Sequence, residues 1–217
     1  MKNLLMKELK LATPNITYLF IAFTLMTFVP GYPILCGAFF VCMGIFQGYQ
    51  INRESNDILY SVLLPISKSD VVKAKYFTVV ALQLVALILF TIFTLIRMTI
   101  FFDSVVYKVN VLMSANLVYL AFVLLIFSCF NAIFLGGFFK TAYDIGKPFI
   151  LFIVANFIII GVAETLHYIP GLEWMNALGF SFMIEQSIIL IGAFGIYITL
   201  TIMSCKKSCF RFEKIDL

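Results

Sequence analysis

The chain has 217 residues and a mass of 24.6 kDa, with 63% hydrophobic and only 12% charged residues and a mean hydropathy of +1.07. Soluble domains run near 45–50% apolar and about 25% charged, so this composition excludes an ordinary soluble globule, a disordered chain and a nucleic-acid-binding domain. It indicates a protein embedded in a bilayer, and the placement of its charges then matters more than their formal sum of +4.

The first apolar run covers residues 16–29, between Pro14 and Pro30. Lys2, Lys7 and Lys10 precede it as in a signal peptide, but no small-residue cleavage site follows, so it reads as an uncleaved first helix. Pro30, Gly31 and Pro33 mark a tight turn. Further spans are expected at residues 34–49, 77–100, 112–138, 149–163 and 187–203. The fold class is therefore an all-α polytopic membrane protein with six transmembrane helices, and an even number puts both termini on one side.

Lys and Arg accumulate on the cytoplasmic side of a membrane protein. Of the 15 Lys and Arg residues, all but Arg97 and Lys108 fall at the amino end, after spans two and four, or in the tail. Both termini are therefore expected in the cytoplasm. The longest outer segment, residues 164–186, has Glu164, His167, Glu173 and Glu185 but no Lys or Arg. Its Tyr168, Trp174, Phe180 and Phe182 suit the headgroup zone, and short interfacial or re-entrant helices are expected there.

No chemistry-bearing motif stands out. Gly146-Lys147 is followed by Pro148 and lacks the upstream Gly of a phosphate-binding loop, so no ATP-binding motif is present and the chain does not read as an enzyme. His167 is the one histidine and lies a helical turn from Glu164, without a second ligand. Cys36, Cys42 and Cys129 sit in apolar runs, and Cys205 and Cys209 lack metal-site spacing. No metal site is expected. Within the spans, Arg97 lies near an outer end, where its stem can snorkel to headgroups. Gln47, Gln83, Asn116, Asn131 and Asn156 suit hydrogen bonding between helices. No buried carboxylate offers ion coupling.

The cytoplasmic loop, residues 51–75, is the most informative segment. Ile58, Leu59, Val62 and Leu63 fall on one helical face after polar Glu54 and Asp57. Pro65 stops that helix, and Ser69 or Asp70 can cap the next. From pattern alone, a short amphipathic helix here either lies on the membrane surface or docks in a partner's groove.

This loop, read from Leu63-Leu64-Pro65-Ile66-Ser67-Lys68-Ser69-Asp70 to Lys75-Tyr76, resembles the ABC-2 type transporter permeases. The amino end, residues 1–10, Glu54 after span two and the end at residues 212–217 add to the resemblance, which covers essentially the whole chain. It implies an amino-terminal elbow helix at residues 1–14, a coupling helix at residues 53–64 and outer re-entrant helices between spans five and six, all in one permease domain. It also implies a partnership: a second permease copy or paralogue, and two separate ATPase subunits that carry ATP and Mg and drive export. The chain itself then needs no cofactor. Glu54, Asp57, Ile58, Leu59, Val62 and Leu63 are the expected ATPase-binding residues, with Glu54 and Asp57 facing the partner. An importer's membrane component and a non-transporting structural or sensory protein are the alternatives. The Phe-rich spans and net negative outer face suit an amphipathic peptide, an antibiotic or a lipid-like substrate. The expected setting is a bacterial plasma membrane.

Overall fold

The computed structural model describes residues 2–10 and 13–215, and these contain helices and no strand. In chain order they are α1 (Lys2–Lys10), α2 (Asn15–Ile21) running into a 3-10 segment (Ala22–Phe28), α3 (Cys36–Glu54), α4 (Asp57–Leu63), α5 (Lys68–Thr99) and α6 (Val105–Lys108). Then follow α7 (Leu117–Cys129), continued by a π-helical turn (Phe130–Leu135) and α8 (Gly136–Phe138), then α9 (Gly146–Leu166), a 3-10 turn (Glu173–Asn176) and α10 (Met183–Glu213).

Four of these are long and apolar enough to cross a bilayer: α5, the continuous α7–α8 run, α9 and α10. A fifth is added if α1 and the helical run at residues 15–28 count as one bent span. Six spans were expected, and the first two are the ones that fall short. The first comprises seven α and seven 3-10 residues. At 1.5 and 2.0 Å per residue that is about 24 Å, against a hydrocarbon core of about 30 Å. The second, α3, is apolar only at its start and ends in Gln47, Gln50, Asn52, Arg53 and Glu54.

Packing explains why α3 needs no lipid-facing circumference. Gly37 and Gly44 lie so close to the preceding helical run that an added Cβ at Gly44 would come within 2.3 Å of the Phe20 Cβ, and one at Gly37 within 2.8 Å of the Phe23 carbonyl. Small residues at such crossings let backbones approach in the absence of a hydrophobic driving force between helices. The Thr17 hydroxyl then reaches the Gly44 carbonyl at 2.9 Å.

α7 is apolar on every face and forms the centre, with Tyr119, Leu124, Ile126 and Phe127 fully buried. It packs against α10, α9 and α5. α5, α9 and α10 turn residues such as Ile88, Ile92, Ile150, Ile158, Ile188 and Ile191 outward. In water that surface would be an aggregation site; against hydrocarbon it carries no penalty. Interfacial or re-entrant helices were expected across residues 164–186. Between α9 and α10 the structure instead has turns and the single 3-10 turn, because Pro170 and two glycines at positive φ, Gly171 and Gly179, interrupt helix formation.

Candidate functional site

The segment that carries the strongest functional expectation begins where α3 ends. Asn56 adopts a left-handed conformation (φ 53°), which Asn tolerates better than most residues, and the chain turns there into α4. α4 stops at Leu63. Leu64 is extended (ψ 154°), as the residue before a proline prefers. α5 then starts with Ser67 as its cap, whose hydroxyl accepts from the Asp70 amide at 3.1 Å. Ser69 and Asp70 were the expected caps. Ser67 takes the role because it is the last extended residue (ψ 143°), while Asp70 is already in the first turn and donates its own N–H.

α4 is held by a buried ionic cluster. Lys75 of α5 donates to Glu8 of α1 at 3.0 Å and to Asp57 of α4 at 2.7 Å. Lys7 of α1 contacts the other Asp57 oxygen, lies 3.3 Å from Glu8, and donates to Ser61 at 2.6 Å. The side chains of Lys75 and Glu8 are each only 3% exposed. Burial pushes the Asp57 carboxyl up, but Lys75 and Lys7 beside it outweigh this and hold it below the usual carboxylate range. Two cations against two anions leave no uncompensated buried charge, the condition for such a cluster to persist.

The expected partner-binding residues therefore divide. Asp57, expected to face a partner, turns inward to the buried Lys75 and the partly exposed Lys7, because the buried Lys75 ammonium needs a counter-charge. Ile58 and Val62 are partly buried and pack on the core. Glu54, Leu59 and Leu63 remain exposed, Leu59 at 44% and Leu63 at 75%. Tyr60, not among the expected residues, is 65% exposed between them. Lys7, Glu8, Ser61 and Lys75 were also missed. The one signal for Lys75 was its place in a run, Val71 to Phe77, that is otherwise mostly apolar.

Deeper in the bundle the span amides join helices. Gln83 and Asn131 exchange two hydrogen bonds at 3.0 Å each, and Tyr197 and Thr201 of α10 close the set at 2.9 and 3.0 Å. The Asn131 carbonyl takes the Gly136 N–H in the π turn and also accepts from Ser204 at 2.8 Å. Asn116 donates to the Met175 carbonyl at 2.8 Å and caps α7 through Tyr119. Two do not: Asn156 is buried with neither amide atom bonded among the described residues, and the partly exposed Gln47 makes no bond between helices among them.

At the other end of the bundle Arg97 does not snorkel outward. It is buried, donates to the Thr27 carbonyl at 2.7 Å and stacks 4.1 Å from the Tyr107 ring centre. The carbonyls at the end of the 3-10 segment need donors, and Arg97 supplies one. His167 lies 3.3 Å from the Val111 carbonyl, and Glu164 accepts from the Met113 amide at 2.8 Å, so both tie the α6–α7 connection to α9.

The arrangement has a helix clamped at one end of a multi-pass bundle. No curated protein and no solved structure matches the chain. The family model for ABC-2 family transporter proteins, however, matches residues 3–213. That match runs from α1 through α4 to the end of α10, so the chain is a multi-pass membrane protein belonging to the ABC-2 transporter family.

Proposed function

We propose that the chain is the permease subunit of an ATP-driven exporter, and that α4 is the helix through which a separate ATPase acts on it. The observation that carries this reading is the outward side of α4. Leu59, Tyr60 and Leu63 stand exposed on a helix of seven residues that Lys7 and Lys75 pin to the rest of the fold. A helix that merely floated on lipid would need no such clamp. One that transmits force does.

In this reading α1 is the elbow helix, and six passes are made by the run at residues 15–28, α3, α5, the α7–α8 run, α9 and α10. The basic residues at the α1, α4 and tail end support a cytoplasmic position for both termini, and the cell is bacterial in this reading. A second permease copy or a paralogue completes the path. Two ATPase subunits supply ATP and Mg, and the permease is non-catalytic. Glu54, Leu59, Tyr60 and Leu63 meet the ATPase, while Asp57, Ile58 and Val62 hold α4 in place. The substrate is an amphipathic peptide, an antibiotic or a lipid-like molecule, suited to a path lined by aromatic spans.

The test is recovery of the cognate ATPase on tagged permease, with its stimulated hydrolysis, for wild type, Leu59→Asp and Leu63→Asp at matched membrane levels. Both positions are exposed, so folding is spared. Each buried apolar anchor is worth about 2 kcal/mol, so recovery falls roughly 30-fold. Equal recovery and stimulation for both variants refute the assignment. Orientation is checked separately: a cysteine at Lys108 labels from outside and one at Ser67 only after permeabilisation.

A further inference from the structure

Behind α4 lies a half-enclosed cavity of about 180 Å³, bounded by the end of α3, α4 and the chain after α8. Its walls are mostly apolar, formed by Ile58, Leu59, Phe138 and Ala142. Two polar side chains that line it have work left undone. Arg53 lies 5.4 Å over the Tyr143 ring, and no acid among the described residues pairs with it. Tyr49 is buried to within 7% of its surface, and its hydroxyl makes no hydrogen bond among the described residues. Its ring stands edge-on to Phe134 and Phe138 at 5.4 and 5.0 Å, which fixes its direction. Lys75 also borders the cavity, but Glu8 and Asp57 match its charge. The uncompensated charge of the lining is therefore that of Arg53.

Apolar walls with a few convergent polar groups are the usual form of a small-molecule site. We propose that this cavity binds an oxyanion carried on an apolar body, namely the head and adjoining carbons of an anionic amphiphile. The oxyanion pairs with the Arg53 guanidinium at the cavity wall. The carbons lie against Ile58, Phe138 and Ala142. A neutral ligand leaves Arg53 without a counter-charge, a cation is repelled, and a bare phosphate leaves the apolar walls uncovered. Cavities of about 150 Å³ enclose a benzene ring, so this one takes part of an amphiphile and the remainder leaves by the open side. Because Ile58 belongs to α4, occupancy braces the inner side of that helix. This consequence rests on the reading of α4 given above; the binding does not.

The test is native mass spectrometry of the full chain in detergent, without ATPase, titrated with dioleoylphosphatidylglycerol, dioleoylphosphatidylcholine or inorganic phosphate. Wild type prefers phosphatidylglycerol over the other two, and Arg53→Gln lowers its binding about tenfold, the loss of one charge-assisted hydrogen bond. Lys73→Gln, an exposed basic residue outside the cavity, leaves binding unchanged. Tyr49→Phe separates ligand binding from structure. It unfolds at the same or a higher denaturant concentration, since it removes a buried hydroxyl that is unpaired among the described residues, and it leaves phosphatidylglycerol binding unchanged. Leu63→Asp, which tests the α4 reading, leaves lipid binding unchanged. Three outcomes overturn the proposal: full preference retained by Arg53→Gln, equal binding of phosphatidylcholine, or equally strong binding of inorganic phosphate, which would make the site one for a soluble oxyanion.

Discussion

Lys75→Met isolates the contribution of the ionic cluster. The substitution keeps an unbranched side chain of similar length in a buried position but removes the central cation. Lys75 makes two charge-assisted hydrogen bonds, at 3.0 Å to Glu8 and 2.7 Å to Asp57. Hydrogen bonds to charged groups contribute about 1.5–3 kcal/mol each, which gives about 3–6 kcal/mol for the pair. A second route gives the same size. Stripping one partner from a buried ion pair costs about 3–5 kcal/mol, chiefly because the opposite charge stays buried and unmatched. Here Glu8 and Asp57 would be left with Lys7 alone. The assay is unfolding of the purified chain in mixed micelles titrated with dodecyl sulfate. A triple variant, Glu8→Gln, Asp57→Asn and Lys75→Met, supplies the control, because removing all three charges leaves only Lys7, which is partly exposed. It should recover more than half of the loss. A Lys75→Met variant within about 0.5 kcal/mol of wild type, the range of ordinary surface substitutions, refutes the claim that the cluster holds α4. So does a triple variant less stable than the single one.

The Asp57 carboxyl is held below its ordinary value, so the stability it contributes is full above the unfolded-state pKa near 3.8 and is lost as pH falls through the lower folded-state value. Protease sensitivity around α4 should therefore rise at the acid end of that window, and Asp57→Asn should show it already at neutral pH; a flat profile for wild type refutes the linkage. Gly44→Ala places a Cβ 2.3 Å from that of Phe20 and should cost about 1–3 kcal/mol by overpacking, whereas Gly161→Ala, with nothing within 4 Å, should be neutral or stabilising by up to about 1 kcal/mol. Equal melting temperatures for the two variants would contradict the close α2–α3 contact. Gln83→Leu breaks a reciprocal amide pair between α5 and the π turn and should cost about 0.6–2 kcal/mol, with Asn131→Leu in the same chain costing less than the sum of the two singles, as measured by a double-mutant cycle.

Elements whose apolar runs span the bilayer alone were legible in the sequence. The expected spans at residues 77–100, 112–138, 149–163 and 187–203 all lie within or largely overlap helices that the fold contains, because a continuous run in hydrocarbon has no alternative to helix. Their ends were not. α10 continues to Glu213, and α5 begins at Lys68, since a helix that leaves the bilayer keeps its backbone hydrogen bonds and hydropathy marks only the lipid-exposed length. The first two spans misled for a related reason. A run packed through Gly37 and Gly44 against a neighbour is shielded by protein, so its length and polarity are no longer set by lipid. Hydropathy cannot separate that case from a span of its own.

The site was legible as a helix and illegible as a mechanism. Helical spacing of Ile58, Leu59, Val62 and Leu63, followed by Pro65, gives the end of α4 at Leu63, but the expected range of 53–64 starts four residues early, because Arg53 and Glu54 finish α3 and the chain turns at Asn56. The spacing also suggests that all four share one apolar face and that the acids lie opposite it, free to meet a partner. That inference fails because a seven-residue helix has two environments along its flanks, and only tertiary contacts say which flank meets protein. Ile58 and Val62 face the core, Leu59 and Leu63 face out, and Asp57 lies on the protein side because Lys7 and Lys75 come from segments 50 residues before it and 18 after it. A charged residue in an amphipathic pattern is read as solvated by default, and burial reverses that reading only when the counter-charges arrive from elsewhere in the chain. The unmatched Arg53, three residues from the left-handed Asn56 turn, has no such counter-charge among the described residues, and it is there, not among the acids, that the geometry leaves an electrostatic demand for something outside the chain.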